Sequence, residues 1–575
     1  MPPIRTRPSP EAIYPGATDV PSGVHWQEAR LRTDPYRPGA PAAGRARGGP
    51  VSRRGVLAAA VSAAAAAGCS RPTTPEPGAA AAAGTGSPTG TAAAASSASW
   101  GLAPSTAASP AWASLAEQLT GRLYRPGDAG YASYRLAANP RYDLITPAAV
   151  ARCAGPDDVM TAVRWARSNR VPFSVRSGGH CYGGWSTSAG LVVDCSLLST
   201  VSVARDGASA VIGAGARLVD VYRSLAAAGV GVAAGSCPSV AMAGLTLGGG
   251  IGVLTRAWGL TCDSVTGLDV VTADGTVRRA GPDGAGDTDL LWASRGGGGG
   301  SFGIVTSFTV RTRPAPTVTV FFLRWPWSAA GAVLDAWQHW APVADRRLWS
   351  TCKLLTTPAA PRVLVAGTWL GPPGALDAVL APILAGAGAP PLTRTARTHG
   401  YLDAMLLEAG CRTPSSCHLP PDGTLGREYE AATSHLPTGP LSAAAVADLV
   451  ALVPAMAGPP GLVEAGVSLD ALGGAVADVA ASATAFVHRS SPFSVQYTAT
   501  WTGPASVADR FDALVRAARA RLARHLGPGA YVNYPDAAVP DWTAAYWGAN
   551  ADRLRQVKRA VDPDDVFRFA QSVPR

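Results

Sequence analysis

His180 closes the run Val175-Arg176-Ser177-Gly178-Gly179-His180, where an apolar strand runs out into a glycine turn. Bare backbone N–H groups in such a turn can approach a pyrophosphate with no Cβ in the way. Two other glycine segments share this character. Cys237-Pro238-Ser239-Val240 leads into Gly244-Leu245-Thr246-Leu247-Gly248-Gly249-Gly250-Ile251-Gly252, and Trp292-Ala293-Ser294-Arg295-Gly296 continues to Gly300-Ser301-Phe302-Gly303. Each can lie against a large planar ligand, and the first run, ending at His180, is neither a GxGxxG fingerprint nor a Walker loop. The chain has 65 glycines, so one cluster alone means little, whereas three in one α/β region, each abutting a strand or helix, point to a binding cradle.

The elements that must position these loops follow from periodicity. Pro156-Asp157-Asp158 opens a helix expected to reach Arg170, with acids in its first turn and Val159, Val163 and Ala166 on one face. Strands are expected at 171–176, 191–194, 210–213 and 230–234, with a helix over 218–228 closed by Gly229. Asp274-Gly275 reads as a hairpin turn. From Thr317 the texture changes to longer apolar strands, 318–323, 363–370 and 493–501, separated by amphipathic helices, which suggests an antiparallel sheet covered on one face. A helix over 507–525 would bury Phe511, Leu514 and Leu522 and leave Arg510, Arg516, Arg519, Arg521 and Arg524 as a solvated face. The fold class expected is α+β.

Composition narrows the function. Hydrophobic residues make up 47% and charged residues 15% of the 575, so most of the chain is globular. About half of the net charge of +10 falls in the first 55 residues, and only Lys353 and Lys558 are lysines; no base-reading or stacking element accompanies the arginines, so no nucleic-acid partner is expected. No apolar run is long enough to span a bilayer. Ser52-Arg53-Arg54-Gly55-Val56-Leu57, then uncharged Ala-rich sequence to Ala66-Ala67-Gly68-Cys69, has the layout of a twin-arginine export signal over 51–69, with Cys69 as a lipidated mature N-terminus; the alternative is an Ala-rich low-complexity stretch. Residues 1–50 are either a disordered extension or precede a true start at Val51. Residues 70–110 read as a flexible Ala/Gly/Ser/Pro tether that would hold a domain off a membrane. The nine cysteines contain no CxxC pair, so no metal site is expected; Cys411 and Cys417 either form a disulfide or remain two free thiols.

Four motifs resemble one family. Arg-Ser-Gly-Gly-His at 176–180, Cys-Pro-Ser-Val with its glycine continuation at 237–252, Trp-Gly-Leu-Thr-Cys-Asp at 258–263 and the segment 295–306 are similar to the berberine bridge enzyme-like FAD-linked oxidoreductases of the vanillyl-alcohol oxidase and p-cresol methylhydroxylase superfamily. The C-terminal Tyr531-Val532-Asn533-Tyr534, Tyr546-Trp547-Gly548 and Asp562-Pro563-Asp564-Asp565-Val566-Phe567 resemble that family's closing segment. The resemblance implies a two-subdomain FAD domain of the p-cresol methylhydroxylase type (111–314), a substrate domain (315–528) and a closing segment (529–575).

It also implies FAD held by two covalent bonds, His180 to the 8α carbon and Cys237 to C6, with Cys181 as a competing thiol. The resemblance places the backbone amides of Ser177, Gly178, Gly179 and His180 at the pyrophosphate, counts Arg176 among the FAD-binding residues, and sets Val240, Gly244, Gly248, Gly249, Gly250, Gly252, Asp263 and Asn533 around the flavin. The activity implied is hydride removal from a hydroxyl-bearing carbon of a sugar or secondary metabolite. Tyr531 would be the base, Asn533 would orient it, and Gln496 would face the substrate. Ile251 stands where some plant members have a second tyrosine, which argues against a paired-tyrosine mechanism. Val240 is smaller than leucine and favours dioxygen as acceptor. The alternative from another class is a flavin- or solute-binding surface lipoprotein without catalysis.

Overall fold

The computed structural model describes residues 109–281 and 287–575. The leader, Cys69 and the tether all lie outside the described residues. Leu191–Asp194 is buried along its whole length and runs parallel to Ala149–Arg152 on one side and Phe173–Arg176 on the other, with Arg122–Tyr124 antiparallel at the edge. A strand buried on both faces needs cover, and the helix Pro156–Ser168 supplies it through Val159, Val163 and Trp165. This helix stops short of the expected end because Arg170 takes a left-handed conformation, φ 52°.

A second sheet orders Val201–Val203, Ser209–Gly213, Ile304–Arg311, Val265–Val271 and Val277–Ala280, all antiparallel. Ile304–Arg311 is central, so the third glycine loop is delivered to the middle of this sheet. The strand expected at 230–234 is only Val230–Gly231, paired with Arg313–Pro314. Beyond it the Tyr401 hydroxyl takes over the ladder, accepting from Val232 N–H at 3.1 Å and donating to Val232 O at 2.9 Å.

The third sheet has seven antiparallel strands in the order Thr393–Gly400, Thr317–Trp325, Pro361–Trp369, Leu348–Thr356, Leu462–Ala471, Phe493–Trp501, Tyr429–His435. One face packs beneath the helices Ala330–Trp340, Leu376–Gly386, Ala443–Ala455 and Ala508–Leu526. The α+β class is as expected.

The solvated arginine face of Ala508–Leu526 needs correction. Arg519 is buried and donates to Ser434 O at 3.0 Å, and Arg516 reaches the buried Asp536 at 2.9 Å; helical periodicity does not reveal carbonyl and carboxylate partners brought in from other elements. Cys411 and Cys417 form a disulfide, Cα atoms 5.4 Å apart. No helix among the described residues is long and apolar enough to cross a membrane.

Candidate active site

The turn after Phe173–Arg176 is braced from below. The Arg176 guanidinium, expected among the FAD-binding groups, is buried and committed to Asp194 at 2.6 Å and to the carbonyls of Arg135 and Leu136 at 3.2 Å, so it shapes the turn and is not free for a ligand. No backbone N–H of residues 177–180 donates to another described residue. The buried hydroxyls of Ser186, Thr187 and Ser188, a few residues on, have no partner among the described residues. Four unclaimed N–H donors at a glycine turn suit a diphosphate such as that of FAD.

His180 and Cys237 converge on Ser239. Ser239 Oγ lies 3.1 Å from His180 Nε2 and also hydrogen-bonds the Cys237 thiol. Burial first, and then the Arg217 guanidinium, lower the imidazole pKa to about 3, so His180 is neutral. Cys237 is solvent-accessible at its own surface, yet the surrounding protein desolvates it and raises its pKa, while the Ser239 hydroxyl pulls the other way. Burial raises the Cys181 thiol too, which weakens it as a competing nucleophile.

Tyr531 is fully enclosed, and its hydroxyl oxygen accepts three hydrogen bonds: from Gly250 N–H at 2.9 Å, Ile251 N–H at 3.3 Å and Asn533 Nδ2 at 3.0 Å. Burial raises the phenol pKa to about 12, and the three donors oppose that rise. Asn533 also donates to Leu245 O at 2.9 Å. A Cβ on Gly248 would lie 2.0 Å from Asn533 Oδ1, and one on Gly252 would lie 1.8 Å from Ala234 O. The missing side chains at 248 and 252 therefore make room for protein atoms and for the tyrosine's hydrogen bonds, whereas Gly244 faces open space. Gly249 backs onto Phe486, whose ring centroid is 6.1 Å from that of Tyr531.

Asp263, expected beside the flavin, is paired with Arg489 at 2.7 and 2.8 Å and caps Leu260 N–H at 2.9 Å. Val240 is partly buried against the core.

Two residues not singled out in the sequence complete the site. Gln496 Nε2 donates to Tyr182 Oη at 3.3 Å, and the Tyr182 hydroxyl shares a hydrogen bond with the Glu430 carboxyl. Tyr182, Tyr534 and Tyr531 stack edge to face at 5.8 and 4.9 Å. Tyr182 was visible two places after His180; for Glu430 the signal was its alternation with Ala432 and Ser434 on a strand.

Burial first, and Glu428 second, push Glu430 up to about 8. Below about 4.5 this carboxyl is protonated in both folded and unfolded chains. Between 4.5 and 8 the folded chain keeps a proton that the unfolded chain releases, so this group's contribution to stability falls as pH rises and levels off above 8. Glu430→Gln is expected to flatten that decline in Tm measured against pH; an unchanged decline would assign it to other groups.

Known proteins share this fold. The family model described as FAD binding domain matches residues 147–281, and that described as berberine and berberine like matches 530–574. An uncharacterized FAD-linked oxidoreductase, YgaK, of Bacillus subtilis is 36% identical over 463 residues, which is 80% of this chain and 97% of that protein. Physcomitrella patens BBE-like 1 superposes with TM-score 0.73 at 29% identity, covering 81% of this chain and 99% of that one. A chitooligosaccharide oxidase gives 0.72 at 26%, with 81% and 99% covered. The chain belongs to the berberine bridge enzyme-like family of FAD-linked oxidoreductases.

Proposed function

We propose that the protein is an exported oxidase that removes hydride from a hydroxyl-bearing carbon of a small, sugar-like molecule, with dioxygen as final acceptor and with FAD held covalently by His180 and Cys237. Residues 111–314 would cradle FAD, 315–528 would wall the substrate and 529–575 would return Tyr531 to the site.

The observation that carries the substrate class is the alternation of the seven-stranded sheet. Val495, Tyr497 and Ala499 enter the helix-covered core, so Gln496, Thr498 and Thr500 line the opposite face, joined there by Ser468 and Glu430 on neighbouring strands. Gln496 reaches Tyr182 of the His180 loop, so this polar face is turned towards the cradle. Amides, hydroxyls and a carboxyl at strand spacing match a polyhydroxylated molecule better than an apolar polycycle. The likeness to chitooligosaccharide oxidase supports the same reading.

FAD, when bound, supplies the two-electron acceptor. Tyr531 takes the hydroxyl proton; its three donors stabilise the phenolate form as they would an oxyanion. Asn533 fixes the phenol against Leu245, and Gln496 with Tyr182 orients the substrate. Export by the twin-arginine route, with Cys69 as lipid anchor, is supported by the leader's layout and by the Cys411–Cys417 disulfide, which persists outside a reducing cytoplasm.

The test is anaerobic titration of the purified protein. Oligosaccharides should bleach the flavin absorbance and apolar polycyclic alcohols should not; the reverse pattern would overturn the substrate class.

A further inference from the structure

The two loops carrying His180 and Cys237 are joined by one side chain. Ser239 Oγ is 3.1 Å from His180 Nε2 and hydrogen-bonded to the Cys237 thiol, so a single hydroxyl touches both proposed attachment residues. A clamp holds it there. Arg217 donates to Ser177 O at 3.4 Å and to Ser239 O at 3.2 Å, tying the His180 turn to the Cys237 turn through one guanidinium. The two turns are too close for any side chain at 178, since a Cβ there would lie 2.7 Å from Ala241 N and 2.9 Å from Arg217 Nη1. Arg217 itself enters by a bridge to Ala241 and by Leu218 N–H donating to Val240 O at 2.9 Å.

Resting on the covalent-FAD reading above, we propose that Ser239, clamped by Arg217, is the positioning residue for both covalent bonds. It accepts from His180 Nε2–H, which leaves the Nδ1 lone pair as the ring's nucleophile, and it donates to Cys237 Sγ, which stabilises the thiolate.

A hydroxyl is suited to this because it donates and accepts at once. The imidazole also donates to the Ser239 backbone carbonyl, so the hydroxyl and the carbonyl of one residue together set the tautomer. A neutral imidazole is required, and the nearby Arg217 cation disfavours the imidazolium. Each bond replaces one hydrogen of the flavin, on the 8α carbon or at C6, and one of the protein, on imidazole nitrogen or thiol sulfur. The two electrons and two protons released pass to the flavin and from it to dioxygen, giving hydrogen peroxide. Once Nδ1 is alkylated, Nε2 carries a lone pair and the same hydroxyl turns round to donate to it.

The experiment measures covalent and total flavin, by intact mass after denaturation and by absorbance before it, in full-chain protein carrying one attachment residue at a time. In Cys237→Ala, adding Ser239→Ala should slow histidyl attachment about tenfold, the effect of one hydrogen bond to a reacting group, while total flavin stays bound. In His180→Ala, adding Ser239→Ala should slow cysteinyl attachment similarly and move its pH dependence upward, because the thiol loses its donor. Ser239→Thr should restore both. Attachment in the Ser239→Ala chains at the parent rate, with the parent pH dependence, would overturn the role of Ser239. Absence of covalent flavin from both single-residue parents would instead overturn the covalent reading. If Ser239→Ala chains bind no flavin at all while Ser239→Thr chains behave as wild type, Arg217→Lys, which keeps the hydroxyl and loosens the clamp, decides the matter: unchanged attachment rates there contradict the proposal and slowed rates uphold it.

Discussion

Tyr531→Phe is expected to lower kcat by roughly 10²–10⁴-fold, the range for loss of a positioned general base, with flavin content unchanged. The phenol oxygen collects three donors, from Gly250, Ile251 and Asn533, in a fully enclosed place. A neutral buried tyrosine needs only one or two partners. Three donors on one oxygen are an arrangement for negative charge, and they oppose the burial that otherwise lifts the phenol to about 12. Phenylalanine keeps the ring's contacts with Tyr534 and Phe486, so the fold has little to lose beyond the stranded N–H groups. Wild-type turnover should climb with pH towards the phenol's ionisation, and the variant should lack that limb. Stopped-flow reduction by substrate at several pH values checks both points. A variant in which only KM rises, with kcat and its pH profile intact, would give the tyrosine a binding role alone.

Asp562→Ala is expected to cost about 3 kcal/mol of stability, the lower end for breaking a buried ion pair, because Asp565 Oδ1, 3.1 Å from Lys558 Nζ, remains as a counter-charge. Lys558 Nζ is wholly buried, 2.6 Å from Asp562 Oδ2, and donates also to Ser301 O at 3.0 Å and Phe567 O at 2.6 Å. Asp562 in turn accepts from Val566 N–H at 2.8 Å and Phe567 N–H at 2.9 Å. This knot fastens the closing segment to the third glycine loop, and the closing segment is what brings Tyr531 to the site. Denaturant unfolding should show the loss, and adding Lys558→Met to Asp562→Ala should recover part of it, because the buried, under-compensated cation is then gone. Additive losses in the double variant would mean that the two groups are not coupled.

How much of this was legible in the sequence depended on whether a residue's partners were near it in the chain. Leu191–Asp194 and Phe493–Trp501 stand where they were expected, since an unbroken apolar run and a clean alternation each specify a strand locally. The turn after Phe173–Arg176 was legible too, because a glycine turn beside a strand needs no distant information. The order of the seven-stranded sheet was hidden, with Thr317–Trp325 pairing to strands that begin 44 and 76 residues later, at Pro361 and Thr393. Arg519 was misread for the same reason, its acceptor Ser434 lying 85 positions away. Glu430 became visible only once residues 182, 430 and 496 met. Asp263 sat in a quoted motif, yet its partner Arg489 lies 226 positions on, and that pairing gives it a structural task.

The central claim is that His180 and Cys237 both hold FAD, and intact mass of the purified, denatured protein tests it most directly. The account predicts one FAD above the polypeptide mass in the wild type and in each of His180→Ala and Cys237→Ala, and none in the double variant. A wild type without added mass, or an addition that survives the double substitution, would contradict it.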